Sequence, residues 1–463
     1  MRHVRGRATL AITASCAALG LLAAACQGTP GAAYGGKPER GSGGSRAAAS
    51  AQVSITPRNG ASSAKPSHGV TVTVSGGKLS SVHVNAGGDH MVGALSNGAT
   101  VWHSRWALRT GTHYMVTATA VGASHKTVTA TSSFRTLTPS AIDTASTAIG
   151  GQDYGVGMPI MICFSSPVST AHQAQVERSI EIKSSKPVVG AWMWESATGT
   201  CYQGAQALEF RTRNYWPQHT RVSFDAHLSG LEAARGVYFT ANLSQSFTIG
   251  NSLIAEVSYA GHHARIYYKN KLYAVWPDSA GTTTGGGGTE TANGTYLSIE
   301  KANPVLMSGQ GYTNVPVYDS VRFTWSGNYM HAAPWSVGQQ GFTNVSNGCV
   351  NLSPADAAWY YDHSVPGDPV TITHSPLTGT WEDGWTMWFL TWKQVVHASA
   401  THLAVEAGPS GSTLVNPATL PASTSRSVLH GSKPRNGATS PGSYPAWTHA
   451  APTWTLRLAA WRG

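Results

Sequence analysis

The chain has 463 residues, room for several domains, and a formal net charge of +10 carried on only 11% charged residues. Basic charge so diluted in a Gly-, Ser- and Thr-rich sequence suits an exported polar surface that meets anionic polymers or headgroups, and no nucleic-acid motif accompanies it. With 41% hydrophobic residues the chain can build cores, yet past the N-terminus no segment is apolar enough to span a bilayer.

Arg2, Arg5 and Arg7 precede an apolar run from Ala8 to Ala25. This reads as an export signal over residues 1–25. Ala23-Ala24-Ala25-Cys26 resembles a lipobox, with Ala23 where Leu is usual; it implies cleavage before Cys26 and a lipid anchor on its sulfur. An ordinary cleaved signal is the alternative. Losing three arginines leaves 10 − 3 = +7 on the mature chain. Residues 26–50 are Gly, Ala, Ser and Pro with little apolar bulk and read as a flexible tether.

Residues 51–139 alternate apolar and polar side chains in short runs, such as Val70-Thr71-Val72-Thr73-Val74, between Gly-rich turns. That is β-sandwich patterning. Residues 140–250 repeat the style with Ile160-Met161-Ile162 and Arg221-Val222-Ser223-Phe224, and the two segments close on similar strands, Ser133-Phe134-Arg135-Thr136 and Ser246-Phe247-Thr248-Ile249. Two tandem immunoglobulin-like domains are expected, acting as spacer and stalk. Cys163 and Cys201 both fall in the second; an exported domain permits a disulfide between them, and two separate buried thiols are the alternative.

A third domain, residues 251–375, is also mostly β, opening with Leu253-Ile254-Ala255-Glu256-Val257 and Ala264-Arg265-Ile266-Tyr267-Tyr268. The glycine run near residues 281–288 lacks the Lys-Ser or Lys-Thr of a phosphate loop and reads as a surface loop. Ser353-Pro354-Ala355-Asp356 carries an N-cap hydroxyl, a proline at the first helical position and a carboxylate at the third, so a short helix starts there. Over residues 376–397, Trp381, Trp385, Trp388 and Trp392 recur at the spacing of one helical face, predicting a helical segment packed on the third domain. Residues 398–463, rich in Ser, Pro, Ala, Thr and Gly, read as a low-complexity tail, with Trp447, Trp454 and Trp461 hinting at a local contact.

The chemistry sits in the third domain. His331 is followed at 349 − 331 = 18 positions by Cys349 within Ser346-Asn347-Gly348-Cys349-Val350-Asn351. A thiol becomes a useful nucleophile when a neighbouring imidazole favours its thiolate, and Gly348 leaves room for a substrate carbonyl to approach backbone N–H groups. Cys349 has no second cysteine nearby and His262-His263 form no metalloprotease motif, so neither metal nor cofactor is expected.

Tyr329-Met330-His331-Ala332-Ala333-Pro334-Trp335-Ser336-Val337-Gly338, continued to Ser346-Asn347-Gly348-Cys349-Val350-Asn351, resembles the signature of L,D-transpeptidases with a YkuD-type catalytic domain, most closely the actinobacterial lipoprotein branch with immunoglobulin-like domains. The resemblance implies a mainly β protein, two immunoglobulin-like sandwiches followed by a β-rich catalytic domain with a short helix and a C-terminal Trp-rich helical segment. It implies Cys349 as nucleophile, His331 as base, the Ala332 carbonyl as the group orienting the imidazole, and the N–H groups of Asn347, Gly348 and Cys349 as oxyanion hole. Met307 and Tyr312 fall in a flap over the donor pocket; Trp335, Ser346 and Asn351 shape that pocket.

Implied partners are peptidoglycan stem peptides, a tetrapeptide donor and a diamino-acid acceptor, with carbapenem β-lactams as covalent inhibitors. The implied reaction passes through a thioester, releases the terminal D-alanine and makes 3→3 cross-links. The implied place is the outer face of the cell membrane, reaching into the wall. Two positions depart from the family: Ala332 stands where Ser is common, and Asn347 where His is common. Ala332 keeps its carbonyl. Asn347 opens the alternative of a non-catalytic or weakly active wall-binding lipoprotein. A sortase-like transpeptidase needs an arginine soon after the cysteine, whereas the first after Cys349 is Arg426; papain-like enzymes place Cys before His.

Overall fold

The computed structural model describes residues 50–196, 201, 204–282, 289–309 and 312–421. The expected export signal, the lipidated Cys26 and Trp447, Trp454 and Trp461 lie outside the described residues. Among the described residues no helix is long and apolar enough to cross a membrane.

Alternation of side chains builds the first domain. His113–Gly122 buries every second residue along most of its length, placing Tyr114, Val116, Ala118 and Ala120 in the core. It pairs with Gly77–Ala86 and Thr127–Arg135 in one sheet, and Thr71–Ser75 pairs with Gln52–Thr56 and Val101–Ser104 in another. Val72, Leu79, Trp102 and Phe134 fill the space between.

The second domain has its own core, centred on Trp192, Phe164, Phe210, Trp216 and Phe247. Ile160–Phe164 is buried throughout, as a central strand covered on both faces should be. Cys163 and Cys201 are joined by a disulfide, with Cα atoms 5.6 Å apart.

Part of the expected low-complexity tail is ordered. Ala404–Gly408 and Gly411–Val415 form a hairpin whose first strand pairs with Val188–Ser196, so this hairpin extends the second domain's sheet to six strands. A buried carboxylate locks the return. Glu177, in the helix Thr170–Arg178, accepts hydrogen bonds from Trp194 Nε1 at 2.8 Å, Ser399 Oγ at 2.7 Å, Ala400 N at 2.7 Å, Thr401 N at 3.0 Å and Thr401 Oγ1 at 2.7 Å.

The four tryptophans do not form one helical face. Met387–Phe389 is a single 3₁₀ turn and the helix starts only at Trp392, capped by Thr391 and running to Ala398. Together they wedge between domains, against Ala191 and Met193 of the second and Leu297 of the third. Trp388 Nε1 donates to Gly157 O at 2.8 Å, and buried Arg211 donates to Met387 O at 3.0 Å and Leu390 O at 2.8 Å. The packing surface therefore belongs as much to the second domain as to the third.

In the third domain a five-stranded sheet runs Lys271–Pro277, His263–Tyr268, Leu253–Ser258, Pro369–Thr373, Gly294–Leu297. A four-stranded sheet, Glu300–Ala302, Ser320–Arg322, Tyr329–Ala332, Val350–Leu352, shares its core with the first. The helix Pro354–His363 begins where expected, with Ser353 Oγ accepting from Asp356 N, and inserts Ala357 and Tyr360 into that core.

Candidate active site

His331 and Cys349 reach the site from adjacent strands. Tyr329–Ala332 and Val350–Leu352 pair in parallel, Met330 with Val350 and His331 with Asn351, an offset of 350 − 330 = 20. Cys349 therefore stands level with Tyr329, just before its strand begins.

The imidazole is fixed in one tautomer. His331 Nδ1 lies 3.0 Å from Ala332 O, and a carbonyl only accepts, so Nδ1 carries the proton and Nε2 the lone pair. The ring is buried, with Trp335 at 6.0 Å between ring centroids. Burial holds the imidazole down to about 4, against an ordinary 6.5, although the Ala332 bond works the other way. It is a neutral base over the whole neutral range.

Cys349 keeps some exposed surface, but protein crowds its sulfur. Burial pushes the thiol up to about 11, partly opposed by the Tyr329 backbone bond. The thiol donates to Gly327 O at 3.8 Å. Burial thus favours the neutral thiol and the neutral imidazole, and works against the expected thiolate.

The turn carrying Cys349 is held on several sides. Ser279 exchanges backbone bonds with Asn351 at 3.1 and 2.9 Å, Ser346 N donates to Ala280 O at 3.0 Å, and Thr282 N donates to Ser346 O at 3.0 Å. Ser346 Oγ donates to Cys349 O at 2.6 Å and accepts from Gly348 N at 3.2 Å. That last bond corrects the expected oxyanion hole: the Gly348 N–H turns inward, leaving the amides of Asn347 and Cys349 as the candidates. Gly348 itself has φ 115°, and a Cβ there would lie 2.5 Å from Asn328 Nδ2.

The other expected residues divide. Asn351 is buried and donates to Ser336 Oγ at 3.0 Å, so it braces the loop after His331. Trp335 is 60% exposed, with its ring 6.0 Å from that of His331. Met307 and Tyr312 sit in the hairpin of Val305–Gly309 and Tyr312–Val317, which projects largely exposed side chains. Asn347 is exposed. His363 stacks on Trp359 at 4.0 Å, a packing role. Among the described residues no cluster of His, Cys, Asp or Glu could hold a metal.

Residues with no sequence signal also matter. Gly327 and Tyr329 touch the sulfur only because of the 20-residue register, which a sequence does not print. Asp278, next to Ser279, is fully buried, neither carboxyl oxygen has a hydrogen-bond partner among the described residues, and burial pushes it up to about 8. Nothing in the structure explains this carboxyl.

A buried one-tautomer histidine on one strand and a cysteine on a tight glycine turn leading into the paired strand are the residues that a cysteine acyl-transfer site on a β scaffold would use. Comparison with known proteins assigns the family. Residues 253–372 match the L,D-transpeptidase catalytic domain, and residues 61–232 match a bacterial Ig domain, across both sandwich cores. The chain is 32% identical to L,D-transpeptidase 5 of Mycobacterium tuberculosis over 75% of this chain and 77% of that protein. It is 30% identical to L,D-transpeptidase 2 of the same organism, over 70% and 79% respectively. Among solved structures, the L,D-transpeptidase LdtMt1 in complex with imipenem is 31% identical over 50% of this chain and 97% of that one, with a TM-score of 0.39. The chain belongs to the L,D-transpeptidase family and is an enzyme of that class.

Proposed function

We propose that the substrate is peptidoglycan and that Cys349 and His331 carry the reaction. His331 Nε2 takes the thiol proton as Sγ leaves Gly327 O and attacks the carbonyl between the third and fourth residues of a donor tetrapeptide. The tetrahedral oxyanion is met by the Cys349 and Asn347 amides. As it collapses, the C–N bond breaks, the protonated imidazole returns its proton to the departing D-alanine amine, and a thioester remains. The side-chain amine of an acceptor stem then attacks, giving its proton to His331; the C–S bond breaks as His331 returns that proton to the departing sulfur, and a 3→3 cross-link forms. The locked tautomer of His331, on the strand paired with the one that Cys349 leads into, carries this reading.

Met307 and Tyr312 cover the donor, and Trp335 walls it. The strained ring of a carbapenem mimics the donor carbonyl, so it acylates the same sulfur. An N-terminal export signal with a diacylglyceryl group on Cys26 anchors the protein to the outer face of the membrane, and the two sandwiches hold the active site away from it.

The test incubates purified protein with disaccharide-tetrapeptide and, in parallel, with imipenem, reading both by mass spectrometry. Dimers linked 3→3 and a covalent adduct on Cys349 are expected. Neither product from a folded protein would overturn the reading and leave a non-catalytic wall-binding lipoprotein.

A further inference from the structure

Thr291 carries no expected role, yet it is 1% exposed and hydrogen-bonded directly to the nucleophile's turn. Its Oγ1 accepts from Gly281 N at 2.8 Å. The hydroxyl proton is therefore free to be given away, and it goes to Gly348 O at 2.8 Å, with Cys349 O farther off at 3.5 Å. Gly348 O and the Cys349 N–H belong to one planar trans peptide and point in opposite directions. Pinning the oxygen on the Thr291 side aims the N–H the other way.

That peptide plane needs pinning more than its neighbours. Ser346 Oγ already holds the plane before it, through Gly348 N–H, and the plane after it, through Cys349 O. The plane between them follows a glycine at φ 115°, where no side chain resists rotation. Its neighbour Gly281 is equally constrained, since a Cβ there would lie 2.6 Å from Gly348 N, so the donor to Thr291 lies directly against the turn.

We propose that Thr291 is the positioning residue of the oxyanion hole: its hydroxyl fixes the Gly348–Cys349 peptide so that the Cys349 amide faces the developing oxyanion. The proposal rests on the acyl-transfer reading above. Thr291 touches neither substrate nor sulfur and acts only through that peptide.

Two reactions of the same thiol separate this role from simple support of the fold. Acylation by imipenem builds negative charge on an oxygen; alkylation by iodoacetamide does not, and needs only an accessible sulfur. Thr291→Val keeps the shape and removes the hydroxyl, Thr291→Ala removes it without adding bulk, and Thr291→Ser keeps it. Removing an oxyanion donor outright costs about 100- to 1000-fold, so misaiming one should slow acylation by about 10- to 100-fold.

The expected result is that loss in Thr291→Val and Thr291→Ala, an alkylation rate within about two-fold of wild type, and recovery in Thr291→Ser. The Ala variant keeps the comparison open should the Val isostere misfold. Acylation and alkylation falling in parallel, or acylation untouched by loss of the hydroxyl, would overturn the assignment. A wild-type protein that alkylates but never acylates would overturn the acyl-transfer reading itself, and the role of Thr291 with it.

Discussion

The turn that carries Cys349 and the hairpin that carries Met307 and Tyr312 are built on opposite plans. The turn bonds along the 279–282 segment on one side, to Thr291 on another and to Ser346 within itself, and Val350 and Leu352 anchor it in the core. Among the described residues the hairpin Val305–Gly309 and Tyr312–Val317 pairs only with itself as a two-stranded sheet, and Leu306 and nearby Tyr318 are 63% and 53% exposed. Reacting atoms need sub-ångström placement, which many mutually supporting bonds supply. If the hairpin admits and covers a peptide, as proposed above, it needs a low cost of local opening, which few buried contacts supply.

The largest effect that sharpens this contrast is Cys349→Ala. It should abolish cross-linking and carbapenem capture while costing no more than about 2 kcal/mol of stability, because the turn is held by its other bonds. Adduct formation on the mutant, read by intact mass, would remove Cys349 as nucleophile. His331→Ala should slow acylation by about 100-fold or more, while His363→Ala, whose ring only packs on Trp359, should stay near wild type.

The pH profile follows from the same burial. Since His331 is held down to about 4, it remains an unprotonated base as pH falls through 6.5, and acylation should decline only as pH approaches 4. Since Cys349 is pushed up to about 11, its thiolate fraction and iodoacetamide alkylation should keep rising through pH 10 without levelling. An acylation midpoint near 6.5, or an alkylation plateau below pH 9, would mean an ion pair in place of two neutral groups.

Gly348→Ala attacks the turn's geometry. The backbone sits at φ 115° and the new methyl would meet Asn328 Nδ2 at 2.5 Å. A cost of about 1–3 kcal/mol is expected, with acylation falling alongside. Unchanged melting and unchanged rate would show the turn to be as yielding as the hairpin.

How far the sequence reads depends on where the information lies. The Ser353-Pro354 helix start is a local signal whose meaning survives folding. The strand alternation of His113–Gly122 survives for the same reason. What fails depends on a distant partner or on the orientation of a single peptide. The hairpin Ala404–Gly408 and Gly411–Val415 looks like low-complexity tail because its small residues are buried by Val188–Gly190, more than 200 positions away. The tryptophans at four-three-four spacing imitate a helix while packing as a wedge on Ala191, Met193 and Leu297. The Gly348 amide turns inward because of one hydroxyl two residues earlier, a choice of peptide orientation that no spacing records.

The smallest expected effects come from side chains that the contrast treats alike although they sit in different regions. Asn347 belongs to the turn but its side chain is exposed, and the bonds that hold the turn come from Ser346, Thr291 and the 279–282 segment. Asn347→His should therefore leave the backbone in place and shift activity or donor preference by less than about 10-fold, below what a true general base supplies. Met307→Ala, in the hairpin, should raise KM for the tetrapeptide with stability within about 0.5 kcal/mol of wild type, because little of the hairpin is buried. Both are measured as kcat and KM for 3→3 dimer formation beside thermal melts. Loss of folding in Asn347→His would place that side chain among the turn's supports and blur the contrast. Activity found only in the His variant would make the native turn rigid but chemically idle, because a well-held sulfur without the right neighbour at position 347 would not acylate.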